Sequence, residues 1–498
     1  MPNSHFMNRR RAGVLLHITS LPCQDGPGTL GQSAIKFLDY LHAHGFTVWQ
    51  TLPVNPTQAG GSPYQCNSVH AGDPHLIDTE GLFQEGLIDG HALATLRHDA
   101  DGRHRLREMA CATLLERLPD DSLRTAFSAF HSTHAWWLDD YAWFTALKQY
   151  FHGAGWQHWP AGLRDRDPLA MDALATELAP MRQLAAFEQF MFFRQWQHLR
   201  DVADSRGILL FGDMPIFVAD DSADVWAGRQ YFDLLPDGQP RVVAGVPPDY
   251  FSATGQRWGN PHYRWDVMEN DQFGWWVGRM RTQLELYHLV RIDHFRGFES
   301  YWEIPADSET AMSGHWVSAP GSALLQRLQA VFGTQLPLVA EDLGIITTAV
   351  NALRQEFHIP GMRVLQFAFD GCPDNAYLPH NYDLNTVVYT GTHDNDTTLG
   401  WFAGQSPEQQ GQIYAYMGES RLPMPEALMH TALASLAPLA ILPMQDILRL
   451  DGHARMNTPG TVGGSNWRWQ FQWWQLDQAP NQLIHRWNRM YGRCPDNV

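Results

Sequence analysis

The chain has 498 residues, enough for about three average domains or for one barrel with insertions. It carries 35 Lys+Arg against 53 Asp+Glu, a formal net charge of −18, which disfavours nucleic-acid and anionic-membrane partners. Lysine occurs only as Lys36 and Lys148 and no GxxxxGK[ST] run is present, which excludes P-loop phosphoryl transfer and leaves little for Schiff-base chemistry.

No stretch reaches 18 consecutive apolar residues, so no membrane span is predicted. Cys23, Cys66, Cys111, Cys372 and Cys494 form no CxxC and no secreted-type framework, which points to a reducing cytoplasm. The 20 Trp, 15 Tyr and 25 Phe suit an aromatic-rich core and, equally in kind, stacking on the C–H faces of neutral sugar rings. Composition alone favours the core.

In chain order, Arg9–Arg11 precede an apolar run, Ala12–Leu16, that His17 interrupts too early for a signal peptide, so it reads as the entry to a strand. Eight apolar, β-branched runs follow the parallel-strand pattern: Gly13–Leu21, Thr47–Val54, Ile208–Val218, Leu289–Phe295, Leu336–Leu343, Met362–Phe369, Thr386–Thr392 and Pro438–Met444. Helical patterns lie between them at Ser33–His44, Ser322–Phe332 and Thr347–Phe357, and Val277, Met280, Leu284 and Tyr287 mark one buried helix face. The alternation predicts a (β/α)8 TIM barrel spanning 1–498 as a single catalytic unit. Two intervals are too long for simple crossovers. Residues 82–181 read as a mainly helical insertion, and residues 219–264, rich in Gly, Pro and aromatics, as a long ordered loop over one mouth of the barrel.

Two motifs mislead. Gly26–Gly31 satisfies GxGxxG, yet four residues separate it from the preceding run and the second run ends Val54-Asn55-Pro56 without a carboxylate, against a dinucleotide site. The 24 histidines form no HExxH or paired Cys/His spacing, so no metal is predicted.

Barrel chemistry sits at the C-terminal ends of strands. Run four ends Arg291-Ile292-Asp293-His294, run five ends Ala340-Glu341-Asp342, run seven ends Thr392-His393-Asp394, and run three ends Gly212-Asp213. Carboxylates converging on one mouth meet the needs of sugar transfer: a nucleophile, a proton donor and a charge stabiliser. Arg291 and Asp293, two apart on a strand, face the same side, and the cation favours an ionised Asp293. Glu341 has no basic neighbour in sequence, which suits a group that keeps its proton until donation.

The segments RIDHFRG, AEDLG and GTHDNDT resemble the catalytic segments of amylomaltases, the 4-α-glucanotransferases of glycoside hydrolase family 77. Ser62–Tyr64, Gly212–Val218, Asp221–Trp226, Gly245–Pro261, Val364–Asp370 and Asn457–Trp469 resemble the same family, so the likeness runs nearly the whole length. It implies Asp293 as nucleophile, Glu341 as acid/base and Asp394 as transition-state stabiliser. It implies substrate contacts from Tyr64, Asp213, Arg291, His294 and His393, from Asp249, Phe251, Gln256 and Trp258 in the long loop, and from Asp370 and Asn466. It implies transfer between malto-oligosaccharides, glucose, amylose or glycogen-type glucans with retention of configuration and no cofactor. A hydrolase using the same three acids, and a silent glycan-binding protein, are the alternatives. Two departures stand out: Ala59 occupies the place of a tyrosine that relatives put in a remote second glucan site, and Arg257, His262 and Arg264 replace Leu, Leu and Asp.

Overall fold

In the computed structural model, which describes residues 6–248, 252–418 and 421–495, each of the eight apolar runs contributes one strand to a closed parallel barrel. Numbered in chain order with the remaining strands, these are β1 (Arg11–Leu15), β2 (Val48–Gln50), β3 (Leu209–Pro215), β4 (Val242–Val246), β5 (Gln256–Pro261), β6 (Leu289–Asp293), β7 (Ser300–Pro305), β8 (His315–Ser318), β9 (Leu338–Ala340), β10 (Gly361–Val364), β11 (Thr386–Tyr389) and β12 (Leu439–Pro443). The barrel order is β1-β2-β3-β6-β9-β10-β11-β12, and β12 closes onto β1 with Arg11 opposite Leu439. This is a (β/α)8 barrel. The strands are shorter than the runs that announced them because apolar residues continue past the ladder, as in the 3-10 turn Ile18–Ser20 after β1.

Alternate residues of the barrel strands point inward. Leu15, Val48, Phe211, Leu289, Val387 and Ile441 belong to this interior core, separate from the larger core between strands and helices. Gly13 faces the interior where it is narrow: a Cβ there would lie 2.5 Å from Ile441 Cδ1. Outside, the helix Gln32–Ala43 buries Ala34, Phe37, Leu38 and Leu41, the i, i+3, i+4, i+7 stripe that drives its docking. The helix Gly274–Leu286 buries Val277 and Met280, while Leu284 is half-buried and Tyr287 lies just beyond the helix in extended backbone.

Between β2 and β3 the chain is helical from Thr79–Gln84 to Ala179–Ser205. The long helices Ser122–Tyr150 and Ala179–Ser205 pack through Phe127 on Phe190 (5.5 Å) and Phe130 on Phe193 (5.5 Å). On the second of them, Gln189 exchanges two hydrogen bonds with the backbone of Gly72, and Gln195 does the same with Asp78. The loop after β2 is thereby fixed to the helical layer.

The interval 219–264 is not a loop throughout. Its β4 and β5 pair with β7 and β8 in a four-stranded antiparallel sheet, order β5-β4-β7-β8. Local reading missed this sheet because its halves lie on either side of β6 in sequence, and because β8 is largely exposed.

Arg493 stitches the seam between β1 and β12. Its guanidinium is fully buried and donates to the carbonyls of Leu433, Ser435, Ala437, Pro438 and Arg11, while burial holds its pKa down to about 9. Arg493→Met would strand these acceptors, and an unsatisfied buried polar group costs about 1–3 kcal/mol. The expected outcome is a loss of at least about 3 kcal/mol in denaturant unfolding.

Candidate active site

The site begins with strand register. On the β3/β6 ladder Asp213 lies opposite Arg291, and Pro215 opposite Asp293. Paired residues share a face, so Asp213, Arg291 and Asp293 all project into the top of the barrel. Arg291 Nη1 lies 2.7 Å from each oxygen of Asp213, and its Nη2 lies 2.8 Å from Asp293 Oδ1. Arg291 and Asp213 are buried, whereas the Asp293 side chain is 31% exposed and faces the cleft. Burial works against the Arg291 charge, but the two carboxylates outweigh it and hold its pKa well above the ordinary value.

Glu341 continues the β9 ladder by one residue, its N–H donating to Ile292 O at 3.0 Å. Its carboxyl accepts two backbone N–H groups, His294 to Oε2 at 2.8 Å and Leu343 to Oε1 at 3.2 Å. Burial pushes this carboxyl up to about 8; Arg291 and the His294 N–H pull it down, and Asp293 pushes it up. His294 takes the left-handed conformation (φ 55°), which ends β6 and starts the 3-10 turn Phe295–Phe298. Burial lowers its imidazole to about 4, so the ring is neutral, and its buried Nε2 has no hydrogen-bond partner among the described residues. Trp258 meets this ring edge-on at 4.9 Å, and its Nε1 donates to Gln256 Oε1 at 3.2 Å.

The loop after β2 brings Tyr64. Thr57 bridges to Cys66, making a short hairpin with Ala59 exposed near its tip. The Tyr64 hydroxyl donates to Asp213 Oδ2 at 2.9 Å, and its ring stacks on His393 at 5.1 Å and 15°. Next to His393, Asp394 is half-exposed, and its Oδ1 accepts Asn457 Nδ2 at 2.6 Å. Arg455 holds the Asp394 backbone carbonyl, and Trp467 lies 5.9 Å from both Tyr64 and His393.

One chain of contacts therefore joins Tyr64, Asp213, Arg291 and Asp293, and through Tyr64 reaches His393 and Asp394. A second joins Glu341, His294, Trp258 and Gln256 against the first. Asp370 and Asn466 fall outside this cluster in their contacts: Asp370 is exposed and accepts Cys372 N, and Asn466 bonds to Thr458 and Thr461 within its own turn. Asp249 and Phe251 lie outside the described residues. Sequence reasoning missed Asn457, Arg455 and Trp467; Asn457 and Trp467 lie inside the Asn457–Trp469 segment, but nothing in their spacing pairs them with the end of β11. Among the described residues no group of three or more His, Cys, Asp or Glu is arranged for a metal.

Breaking a buried ion pair on one side leaves an uncompensated charge, at a cost of about 3–5 kcal/mol, whereas replacing both partners is far milder. Arg291→Met is expected to lose stability on that scale in urea unfolding, and Arg291→Met combined with Asp213→Leu to recover most of it.

The family model for 4-alpha-glucanotransferase matches residues 16–476. The 4-alpha-glucanotransferase of Thermus thermophilus is 49% identical over 481 residues, covering 93% of this chain and 94% of its own. That of Synechocystis is 43% identical over 501 residues, 98% and 99% of the two chains. Among solved structures, an amylomaltase from Streptococcus agalactiae in complex with acarbose superposes with a TM-score of 0.93 at 36% identity, covering 98% of this chain and 100% of that one. An amylomaltase from Corynebacterium glutamicum, at 16% identity and a TM-score of 0.79 over 98% of this chain and 76% of its own, shares the fold. On register, site and likeness together, the chain belongs to the 4-alpha-glucanotransferases of glycoside hydrolase family 77.

Proposed function

We propose that the chain performs its 4-α-glucanotransferase reaction by retaining double displacement on α-1,4-glucans. Asp293 Oδ attacks the anomeric carbon, the bond to the leaving glucan oxygen breaks, and Glu341 gives that oxygen its proton. The glucosyl ester is then attacked by the 4-hydroxyl of an acceptor glucose or glucan, whose proton returns to Glu341 as Asp293 departs. Asp394, fixed by Asn457, stabilises positive charge on the ring. The observation that carries this reading is the division of labour between two neighbouring carboxyls: Arg291 touches Asp293 at 2.8 Å, while burial keeps Glu341 protonated to about 8.

The cleft offers neutral hydrogen-bonding groups and aromatic faces rather than free cations, which suits malto-oligosaccharides, amylose or glycogen-type glucans. The unpartnered Nε2 of His294, the Tyr64–His393 pair and Trp258 are the first groups a sugar ring would meet, with Asp213 and Arg291 behind them. Gln256, Asp249, Phe251, Asp370 and Asn466 are proposed as further substrate contacts. In this reading 1–498 works as one catalytic barrel, with 82–181 and 219–264 as insertions that shape the cleft. Transfer prevails over hydrolysis when the acceptor displaces water from the ester. No cofactor enters the scheme. The five unpaired cysteines fit a reducing compartment, which supports a cytoplasmic location; no helix among the described residues is long and apolar enough to cross a membrane.

Incubation with maltotriose alone should yield glucose together with longer oligomers, and Asp293→Asn should lower the rate by at least about a thousandfold while oligosaccharide binding persists. Glucose and maltose without longer products would mean a hydrolase. The proton donor sets the pH dependence. Protonated Glu341 is lost as pH rises through about 8, so kcat/KM should fall on the alkaline side with a midpoint near that value, and Glu341→Gln should abolish transfer.

A further inference from the structure

We infer that Arg296 and Trp316 form a brace that sets the position of the Glu341 carboxyl, which makes both of them positioning residues for the transfer reaction. The inference rests on the reading of Glu341 as the proton donor and acceptor.

Arg296 lies in the 3-10 turn that His294 starts, and it is buried. Among the described residues it pairs with no carboxylate within ion-pair distance, so its charge must be compensated by other groups. Two groups do so. Its guanidinium carbon lies 3.6 Å from the centre of the Trp316 ring, and its Nη1 donates to the carbonyl of Ile345.

Ile345 belongs to the same loop as Glu341, four residues on. Between them Gly344 adopts φ 81°, a left-handed turn that a Cβ would strain. Leu343, just before that turn, supplies the N–H that holds Glu341 Oε1 at 3.2 Å. The other oxygen, Oε2, is held at 2.8 Å by the N–H of His294, two residues before Arg296. The two backbone handles on the carboxyl therefore belong to two segments, and Arg296 ties those segments together.

Trp316 stands on β8, the edge of the four-stranded sheet, where it is 38% exposed. Trp302 steadies it edge-to-face at 5.2 Å and is itself anchored by donating Nε1 to Ala311 O at 2.9 Å. The indole thus contributes little to a core; its ring contacts are with Trp302 and the Arg296 guanidinium.

The charged and titratable groups around the Glu341 carboxyl are Arg291 and Asp293 from β6, Asp342 from its own loop and Tyr377 from the segment after β10, with the neutral His294 beside it. Loosening the brace changes none of these charges. It weakens one N–H donation to the carboxylate, which favours the protonated form. The signature is a slower reaction whose alkaline limb moves to higher pH.

The test uses Trp316→Ala, with Trp316→Leu as a second variant that keeps apolar bulk without a π face, and Trp316→Tyr as rescue. With maltotriose as substrate, the first two should lower kcat on the order of tenfold with KM little changed, and shift the alkaline limb of kcat/KM upward; Tyr should restore both. An unchanged kcat, or a lowered kcat with the limb in place, overturns the brace. Glu341→Gln measured alongside separates the two readings. If it retains the wild-type rate, the proton-transfer reading falls and the brace with it. If it is inactive and the limb of the Trp316 variants has not moved, the brace alone falls.

Discussion

A guanidinium inside a closed barrel persists only where its charge is matched by partners in fixed positions, because moving an unpaired ion out of water is prohibitively costly. Arg291 meets this condition with Asp213 on one side and Asp293 on the other. The match is a property of register. A one-residue slip of β3 against β6 would turn Asp213 away from the interior and leave Arg291 inside with Asp293 alone, short of its chelating partner. The same contacts recruit Tyr64 through Asp213 and, through Tyr64, the ring of His393. The packing of the upper barrel and the placement of Asp293, the proposed nucleophile, therefore rest on one cation.

Glu341, the proposed acid/base group, follows the opposite principle. Among the described residues it is paired with no cation of its own, and its oxygens are held by backbone N–H groups rather than by side chains. Backbone donors fix geometry while adding less charge than an arginine would, so burial still dominates and pushes the carboxyl up to about 8. Two carboxylates at adjacent strand ends acquire different chemistry because one strand carries an arginine two residues earlier and the other carries valine.

The barrel was legible because parallel strands are buried on both faces, which leaves unbroken apolar runs such as Leu338–Ala340 and Leu439–Leu442. The three carboxylates proposed for the chemistry were visible as strand-end residues for a related reason: a carboxylate that ends such a run stands out against it. The antiparallel sheet was not legible. Its strands alternate weakly, Gly245 and Gly259 dilute the pattern, and the pairing of Gly245 with Trp302 joins residues that only the fold brings together. For the same reason Asn457 and Trp467 went unrecognised as partners of Asp394 and Tyr64. The placement of Asp370 and Asn466 came from likeness rather than from the residues themselves, and their contacts in the fold are local turns.

The last barrel strand pairs with the first, and Arg493 fills the seam with donors aimed at carbonyls from both ends of the chain. During synthesis β1 therefore waits with one edge unpaired while more than four hundred residues emerge. The segment that holds Asp394, from Arg455 to Trp467, is also made late. Until then the nascent chain carries all three acids and an open row of strand donors and acceptors, the condition under which sheets add foreign strands. The helices between β2 and β3 are synthesised long before β12, and Gln189 and Gln195 tie them to the loop after β2. The barrel's protection against strand addition therefore arrives with its last strand, and Arg493, which follows that strand, seals the joint.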